Sequence, residues 1–396
     1  MTPPAPENPQ APAGARPPVA HGPVHRGIVP PFLLRRIARL DDGEGVELEH
    51  APEAARRTLG IDGPFRAERR NGEPGLPGLV RPSTRPGLQQ PVTGSTPPGQ
   101  PDRLIFDAKG TEDLPGEQVR AEGEPDTGDL AVAQAYDGLG DTYALFWEAF
   151  GRDSIDGAGM RLDATVHFGD RYDNAFWDGA RMVFGDGDGE IFRGFTGSLS
   201  IIGHELAHGV TERTANLVYQ GQSGALNEHV SDVFGALVEQ RLQSHTADQA
   251  TWLVGAGIFT ERVRGVAIRS MRAPGTAYDD PVLGKDPQPA HMRDFVETTD
   301  DNGGVHINSG IPNRAFVVLA ETLGGHAWER AGRIWYEALT GDRLTATATF
   351  AQFAATTIAV GRELYGEGSA EADAVAAAWD AVGVAPGRLR QAMSRD

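Results

Sequence analysis

The chain of 396 residues contains no cysteine. That absence excludes disulfides, thiolate nucleophiles, thiolate-held zinc, and any prosegment thiol able to sit on a metal. No stretch is long and apolar enough to span a bilayer, and residues 1–27, rich in Pro, Ala and Gly, lack the apolar core of a signal peptide. The sequence therefore predicts a cytoplasmic protein, or one secreted without a cleaved signal peptide. Positive charge is also scarce: 36 Lys and Arg stand against 55 Asp and Glu, a formal charge of −19. Such a balance opposes binding to nucleic acid and to anionic membrane surfaces, so neither is an expected partner. What is present, 39% hydrophobic and 23% charged residues, is the composition of a soluble globular chain, expected here to act as a monomer.

The texture changes along the sequence. Residues 1–27 predict disorder. Ile28-Val29-Pro30-Pro31-Phe32-Leu33-Leu34 reads as an extended stretch entering a short amphipathic helix. Residues 41–100 alternate charged patches with Pro/Gly-rich runs, a linker-like composition. From Leu104 to about Asp170, apolar and polar residues alternate as in strands, with one helix near 129–150. Beyond Ser198 the period becomes helical: Val230, Val233, Phe234, Leu237 and Val238 recur at the spacing of one buried helix face. Further helices are predicted at 313–323, 353–364 and 370–381. The fold class is α+β, β-rich first and mostly helical after.

Chemistry concentrates in Gly203-His204-Glu205-Leu206-Ala207-His208. Two histidines four apart on a helix share a face, so both imidazoles reach one ion. Glu205, turned about 100° from His204, stays off the ion but close enough to take a proton from water there. Alone, this five-residue pattern also fits a surface helix with two solvated histidines. A third ligand is needed, and Glu228 follows 20 positions after His208, opening a strongly apolar helix. A carboxylate buried there is costly unless metal-bound or paired. Glu228 completes a His₂Glu zinc site with an open fourth position, and Asp232, one turn on, can accept the free ring N–H of a zinc histidine.

His204 to Asp232, with Asn227-Glu228 in place, resembles the thermolysin-like zinc metallopeptidases. Two more blocks carry the resemblance: Asn174-Ala175-Phe176-Trp177 with the following Gly185-Asp186-Gly187-Asp188-Gly189, and Asp301-Asn302-Gly303-Gly304-Val305-His306. The resemblance implies two lobes, β-rich then helical, with a central zinc helix on the floor of the cleft between them. It also implies oxyanion donors at His306 and Tyr219, with Asp301 fixing the His306 imidazole. Asn174 and the backbone of Ala175 would pair with an extended peptide substrate, Arg269 would grip a substrate carbonyl, and Phe192, Ile201 and Ile268 would line an apolar pocket. Singly, each has a plainer reading: core aromatics, a surface ion pair, a tight turn. His21, His25, His50, His167, His229, His245, His291 and His326 have no such context and read as structural.

Residues 28–34 are similar to the Pro-Pro-apolar motif in the short propeptides of protealysin-type members. That implies a disordered stretch at 1–27, a propeptide at 28–100, a β-rich catalytic lobe with the zinc helix at 101–218, a helical lobe at 219–385 and a tail at 386–396. The propeptide would act as an intramolecular inhibitor until cut between about residues 66 and 103. The paired calcium site of extracellular relatives looks lost: Ser200 stands where an aspartate is expected, and residues 244–258 hold only Asp248, although Glu239 is kept. The implied function is a zinc-dependent neutral endopeptidase preferring a hydrophobic residue after the scissile bond, made as a proenzyme. The alternative, a catalytically restrained binding or scaffold protein on the same fold, requires loss of a ligand or of Glu205, and the sequence keeps them all.

Overall fold

The computed structural model describes residues 26–40, 48–67 and 96–387. It opens with a two-residue strand β1 (Arg26–Gly27), helix α1 (Pro31–Ile37) and helix α2 (Ala51–Ala67). Pro30 and Pro31 shape the entry to α1. Pro31 takes the first helical position, where no backbone N–H is needed, and holds the preceding Pro30 extended at φ −64° and ψ 142°. The segment read as disordered therefore ends at a strand, its residues 1–25 lying outside the described ones. Helix α2 falls inside the stretch whose composition reads as linker, and this is a correction. Its buried face is Ala51, Ala54, Ala55, Thr58 and Asp62, helical spacing built from small and polar residues that give no apolar signal. Of the rest of the predicted linker, 41–47 and 68–95 lie outside the described residues.

The β-rich lobe comprises β2 (Arg103–Asp107), β3 (Glu117–Ala121), α3 (Leu130–Phe150), β4 (Leu162–Val166), β5 (Ala175–Trp177) and β6 (Arg181–Phe184). Helix α3 starts where Asp129 Oδ1 accepts the N–H groups of Ala131 and Val132, and it stops at Gly151 in the left-handed conformation. The strands form a six-stranded sheet in the order β1-β5-β6-β4-β2-β3. Strand β1 pairs antiparallel with β5, so the sheet edge is closed by residues far upstream of the lobe.

Asp129 has a second task. His167, at a left-handed φ of 53°, bridges Asp129 Oδ2 at 3.1 Å and Asp186 at 2.9 Å. The hydrogen bond to Asp186, followed by the attraction of both carboxylates and opposed by burial, pushes the imidazole up to about 9. A raised folded-state value means the bridge stabilises fully below the unfolded value near 6.5 and fades as pH rises through 9. His167→Gln is therefore expected to cost about 1–2 kcal/mol at pH 6, after discounting for solvent screening, and much less at pH 9.5. Urea unfolding of both chains at the two pH values measures it; a pH-independent difference would remove the bridge from the account.

Helices α4 (Leu199–Glu212) and α5 (Gly221–Gln243) cross at the centre of the molecule. Glycine makes the crossing close: a Cβ on Gly235 would lie 2.3 Å from Ser200 O, and one on Gly203 would lie 3.0 Å from Gly235 Cα. Side chains at either position would push apart the two helices that carry the metal ligands. The short pair β7 (Leu253–Val254) and β8 (Arg269–Ser270), then α6 (Asp301–Asn308), α7 (Gly310–Leu323), α8 (Ala331–Thr340), α9 (Phe350–Tyr365) and α10 (Ala370–Ala381), complete the helical lobe. The predicted helices match α3, α7, α9 and α10 closely, while α6 and α8 were not anticipated. In α6, Asp301, Asn302, Gly303 and Gly304 run left-handed at φ 51°, 50°, 82° and 75°, a conformation that no helical periodicity signals.

Candidate active site

His204 and His208 project from α4 and Glu228 from α5, all three fully buried. One ligand atom from each lies within 4.8 Å of the others. Glu228 Oε2 is 3.5 Å from His204 Nε2, and Glu228 Oε1 is 3.5 Å from His208 Nε2. That is long for a hydrogen bond. It is close to the ~3.3–3.4 Å separating two ligands that sit ~2.0–2.1 Å from one tetrahedral ion. Buried His204 Nε2 and Glu228 Oε2 have no hydrogen-bond partner, an arrangement that would be costly in the absence of an ion. Two imidazoles and one carboxylate are a zinc donor set, so the residues fit that metal.

The far side of each imidazole is engaged. His204 Nδ1 lies 2.8 Å from Asp232 Oδ1. His208 Nδ1 lies 2.8 Å from Asn227 Oδ1 and 2.9 Å from Ser231 Oγ. Each ring thus has its Nδ1 proton placed and its Nε2 lone pair turned inward. Burial alone would raise Asp232, but the Arg269 guanidinium and the His204 bond hold its carboxyl well below the usual range.

Glu205 is buried beside these ligands, its Oε2 accepting the N–H of Trp177 at 3.1 Å, so the end of β5 sets its position. His306 Nδ1 bonds Asp301 Oδ1 at 2.6 Å, and the His306 backbone N–H donates to Asp301 Oδ2 at 2.9 Å. The left-handed run at 301–304 swings that carboxylate round to the ring. Gly303 is required there, since a Cβ would meet Gln220 Nε2 at 3.0 Å and Gly221 Cα at 3.1 Å. Burial opposes protonation of His306, yet Asp301 and then Glu228 raise its affinity for a proton above the ordinary value. The Tyr219 hydroxyl donates to Glu228 Oε1 and stands 3.2 Å from His306 Nε2. Tyr219, His306 and Asp301 thus gather beside the three ligands, with the Tyr219 hydroxyl bound to one of them.

The groups expected to hold substrate are held by this chain's own residues. Ile28 N–H donates to Ala175 O at 3.1 Å, and Val29 N–H donates to Asn174 Oδ1 at 2.9 Å. Arg269 grips Asp232 through Nε and Nη2, and its Nη1 donates to Ile28 O at 3.1 Å. Phe192, Ile201 and Ile268 are buried in one cluster with Ile28, Val29, Leu33 and Leu34. Phe192 packs on Phe195 and Phe259.

Sequence reasoning passed over Asn227, Ser231, Asn313, Asp62 and Glu190. Polar residues within a helix as buried as α5 were a signal for the first two. Asn313 bonds His229 from 84 positions away and gave none.

Residues 107–212 match the thermolysin metallopeptidase catalytic domain, and residues 215–384 match the thermolysin metallopeptidase alpha-helical domain. An extracellular metalloprotease of Pectobacterium carotovorum subsp. carotovorum is 53% identical over 288 residues, 73% of this chain and 82% of that protein. Protease PrtS of a Photorhabdus species is 54% identical over 267 residues, 67% of this chain and 72% of that protein. The solved precursor of protealysin, a metalloproteinase from Serratia proteamaculans, superposes with a TM-score of 0.79 at 47% identity, covering 91% of this chain and all of that one. With the ligand geometry, the β-rich and helical lobes and these relatives in agreement, the chain belongs to the thermolysin family of zinc metallopeptidases.

Proposed function

We propose that the chain is the proenzyme of a neutral endopeptidase, with His204, His208 and Glu228 holding zinc. The observation that carries this is the placement of Glu205 between the ligand set and the N–H of Trp177, at the edge where an extended peptide pairs. When bound there, zinc would supply Lewis acidity, polarising the scissile carbonyl and acidifying the attacking water. Glu205 takes the proton of the attacking water and returns it to the leaving amine. His306, its imidazole fixed by Asp301, and Tyr219 donate to the oxyanion. For Tyr219 this means exchanging its bond to Glu228 for one to substrate.

Substrate binds as β1 does here, along β5. Asn174 and Ala175 supply backbone-directed bonds, and Arg269 takes a carbonyl as it now takes that of Ile28. Such recognition serves interior peptide segments, and it favours an endopeptidase over an enzyme that grips a free terminus. Phe192, Ile201 and Ile268 select a hydrophobic residue after the scissile bond.

In this reading residues 28–100 are the propeptide, preceded by β1 at Arg26–Gly27. Residues 101–218 and 219–385 are the catalytic lobes, and 386–396 is a tail whose residues 388–396 lie outside the described ones. Three anchors favour a propeptide that docks as a built unit. Glu190 caps the N-terminus of α2, accepting the N–H groups of Glu49, His50 and Ala51 at 2.8–3.0 Å. Asp62 accepts from Tyr172 Oη at 2.6 Å and from Asn174 Nδ2 at 3.0 Å, so both ends of the Asn174 amide are taken. Arg36 donates to the carbonyls of Pro281 and Val282.

Incubating the purified chain and following it by mass spectrometry is expected to give a product beginning between residues 66 and 103, with cleavage of a quenched peptide rising as it forms. A full-length chain already at full activity would sink the propeptide reading.

The reading that the paired calcium site is lost rests on Ser200 standing where an aspartate is expected; its Oγ accepts the Gly255 N–H at 3.1 Å. Among the described residues no helix is long and apolar enough to cross a membrane. The relative named as extracellular supports action outside the cell.

A further inference from the structure

Trp335 on α8, His229 on α5 and Asn313 on α7 are fully buried, and their polar atoms form a chain whose last member, Asn313, bonds Asp232. Trp335 Nε1 lies 2.7 Å from His229 Nε2, His229 Nδ1 lies 2.7 Å from Asn313 Oδ1, and Asn313 Nδ2 lies 2.8 Å from Asp232 Oδ2. The direction of every bond follows from chemistry. An indole N–H only donates, so His229 Nε2 carries no proton and accepts. The imidazole proton then sits on Nδ1 and donates to the Asn313 carbonyl. That leaves the Asn313 NH₂ facing Asp232, which as a carboxylate accepts. The other oxygen, Asp232 Oδ1, takes His204 Nδ1 at 2.8 Å.

We propose that Trp335, His229 and Asn313 are positioning residues of the metal centre, a one-way hydrogen-bond chain that fixes Asp232 and, through it, the tautomer and angle of His204. The proposal rests on reading His204 as a zinc ligand. Three helices contribute, so the chain ties the packing of the helical lobe to the ligand on α4. Asp232 also carries the Arg269 guanidinium, with Nε 2.9 Å from Oδ2 and Nη2 2.7 Å from Oδ1. A carboxylate so loaded can rotate toward arginine and away from His204. The Asn313 bond to Oδ2 opposes that rotation.

A histidine serving only to fill the core would make a different prediction. Its loss would lower the melting temperature and leave zinc affinity alone. The test uses the full chain, with zinc retention read by competition against a chromogenic chelator and folding by circular dichroism. His229→Phe keeps a ring of similar size but removes both bonds, and Trp335→Phe removes the single N–H that sets the direction. Each is expected to weaken zinc binding by about tenfold, the lower end for partners behind a ligand. His229→Gln, whose amide can accept from Trp335 and donate to Asn313, is expected to stay within about twofold of the starting chain on the same scale.

Folded His229→Phe and Trp335→Phe chains that hold zinc as tightly as the unsubstituted one would overturn the proposal. Should His229→Phe not fold, Trp335→Phe decides by itself. An unsubstituted chain that takes up no zinc would instead overturn the metal-centre reading on which the proposal stands.

Discussion

Glu205→Gln is expected to bind zinc as the unsubstituted chain does and to cleave peptides about 100- to 10,000-fold more slowly, the usual worth of a positioned general base. The amide is isosteric, and Glu205 is not among the three converging ligands, so the donor set is untouched. What is lost is a base able to receive and return a proton. The amide can also donate, and the Trp177 N–H that now points at Glu205 Oε2 will face either a carbonyl or an NH₂. The carbonyl orientation keeps that bond, so the fold should be unaffected. Because the variant is expected not to process itself, both chains must be clipped by the same added protease before their rates are compared. Substantial cleavage by the folded, zinc-loaded variant would remove Glu205 from the mechanism.

His204→Ala is expected to lose the metal, the activity and a large part of the stability together. The first two follow from removing one of three ligands. The third has two sources. Zinc bound at about a thousand times its dissociation constant contributes about 4 kcal/mol to the folded state by mass action, and this disappears. In addition, Asp232 loses the partner 2.8 Å from its Oδ1 and is left with Arg269 and Asn313. The melting temperature of the unsubstituted chain should rise with added zinc, and that of His204→Ala should not. Equal zinc responses in the two chains would place the ion elsewhere.

The sequence made the ligand set legible because it is local. His204 and His208 lie one helical turn apart, and Glu228 sits about two turns into the next helix, whose apolar period left a carboxylate needing an explanation. The strands of the first lobe and helices α3, α7, α9 and α10 were legible from periodicity for the same reason. Helix α2 was hidden by composition. Its buried face of alanine, Thr58 and Asp62 gains its stability from outside, through the Glu190 cap and the bonds to Tyr172 and Asn174.

The seating of residues 26–29 along β5 was hidden for another reason, since these residues bond through their backbone atoms alone, which carry no trace of their side-chain identity. The Asp301–Gly304 turn was hidden because its left-handed run follows no helical or strand period, although two glycines and an Asp-Asn pair are the residues that tolerate it best. The support behind Asp232 depends on α7 and α8 arriving at α5, a tertiary event that neither helix announces.

One zinc ion at His204, His208 and Glu228, acting with Glu205, is the centre of this account. The most direct measurement follows cleavage of an internally quenched peptide by the processed chain before chelation, after chelation, and after zinc is restored. Activity that vanishes with the metal and returns with about one equivalent of zinc is the predicted result. Cleavage that survives complete removal of zinc would contradict the account.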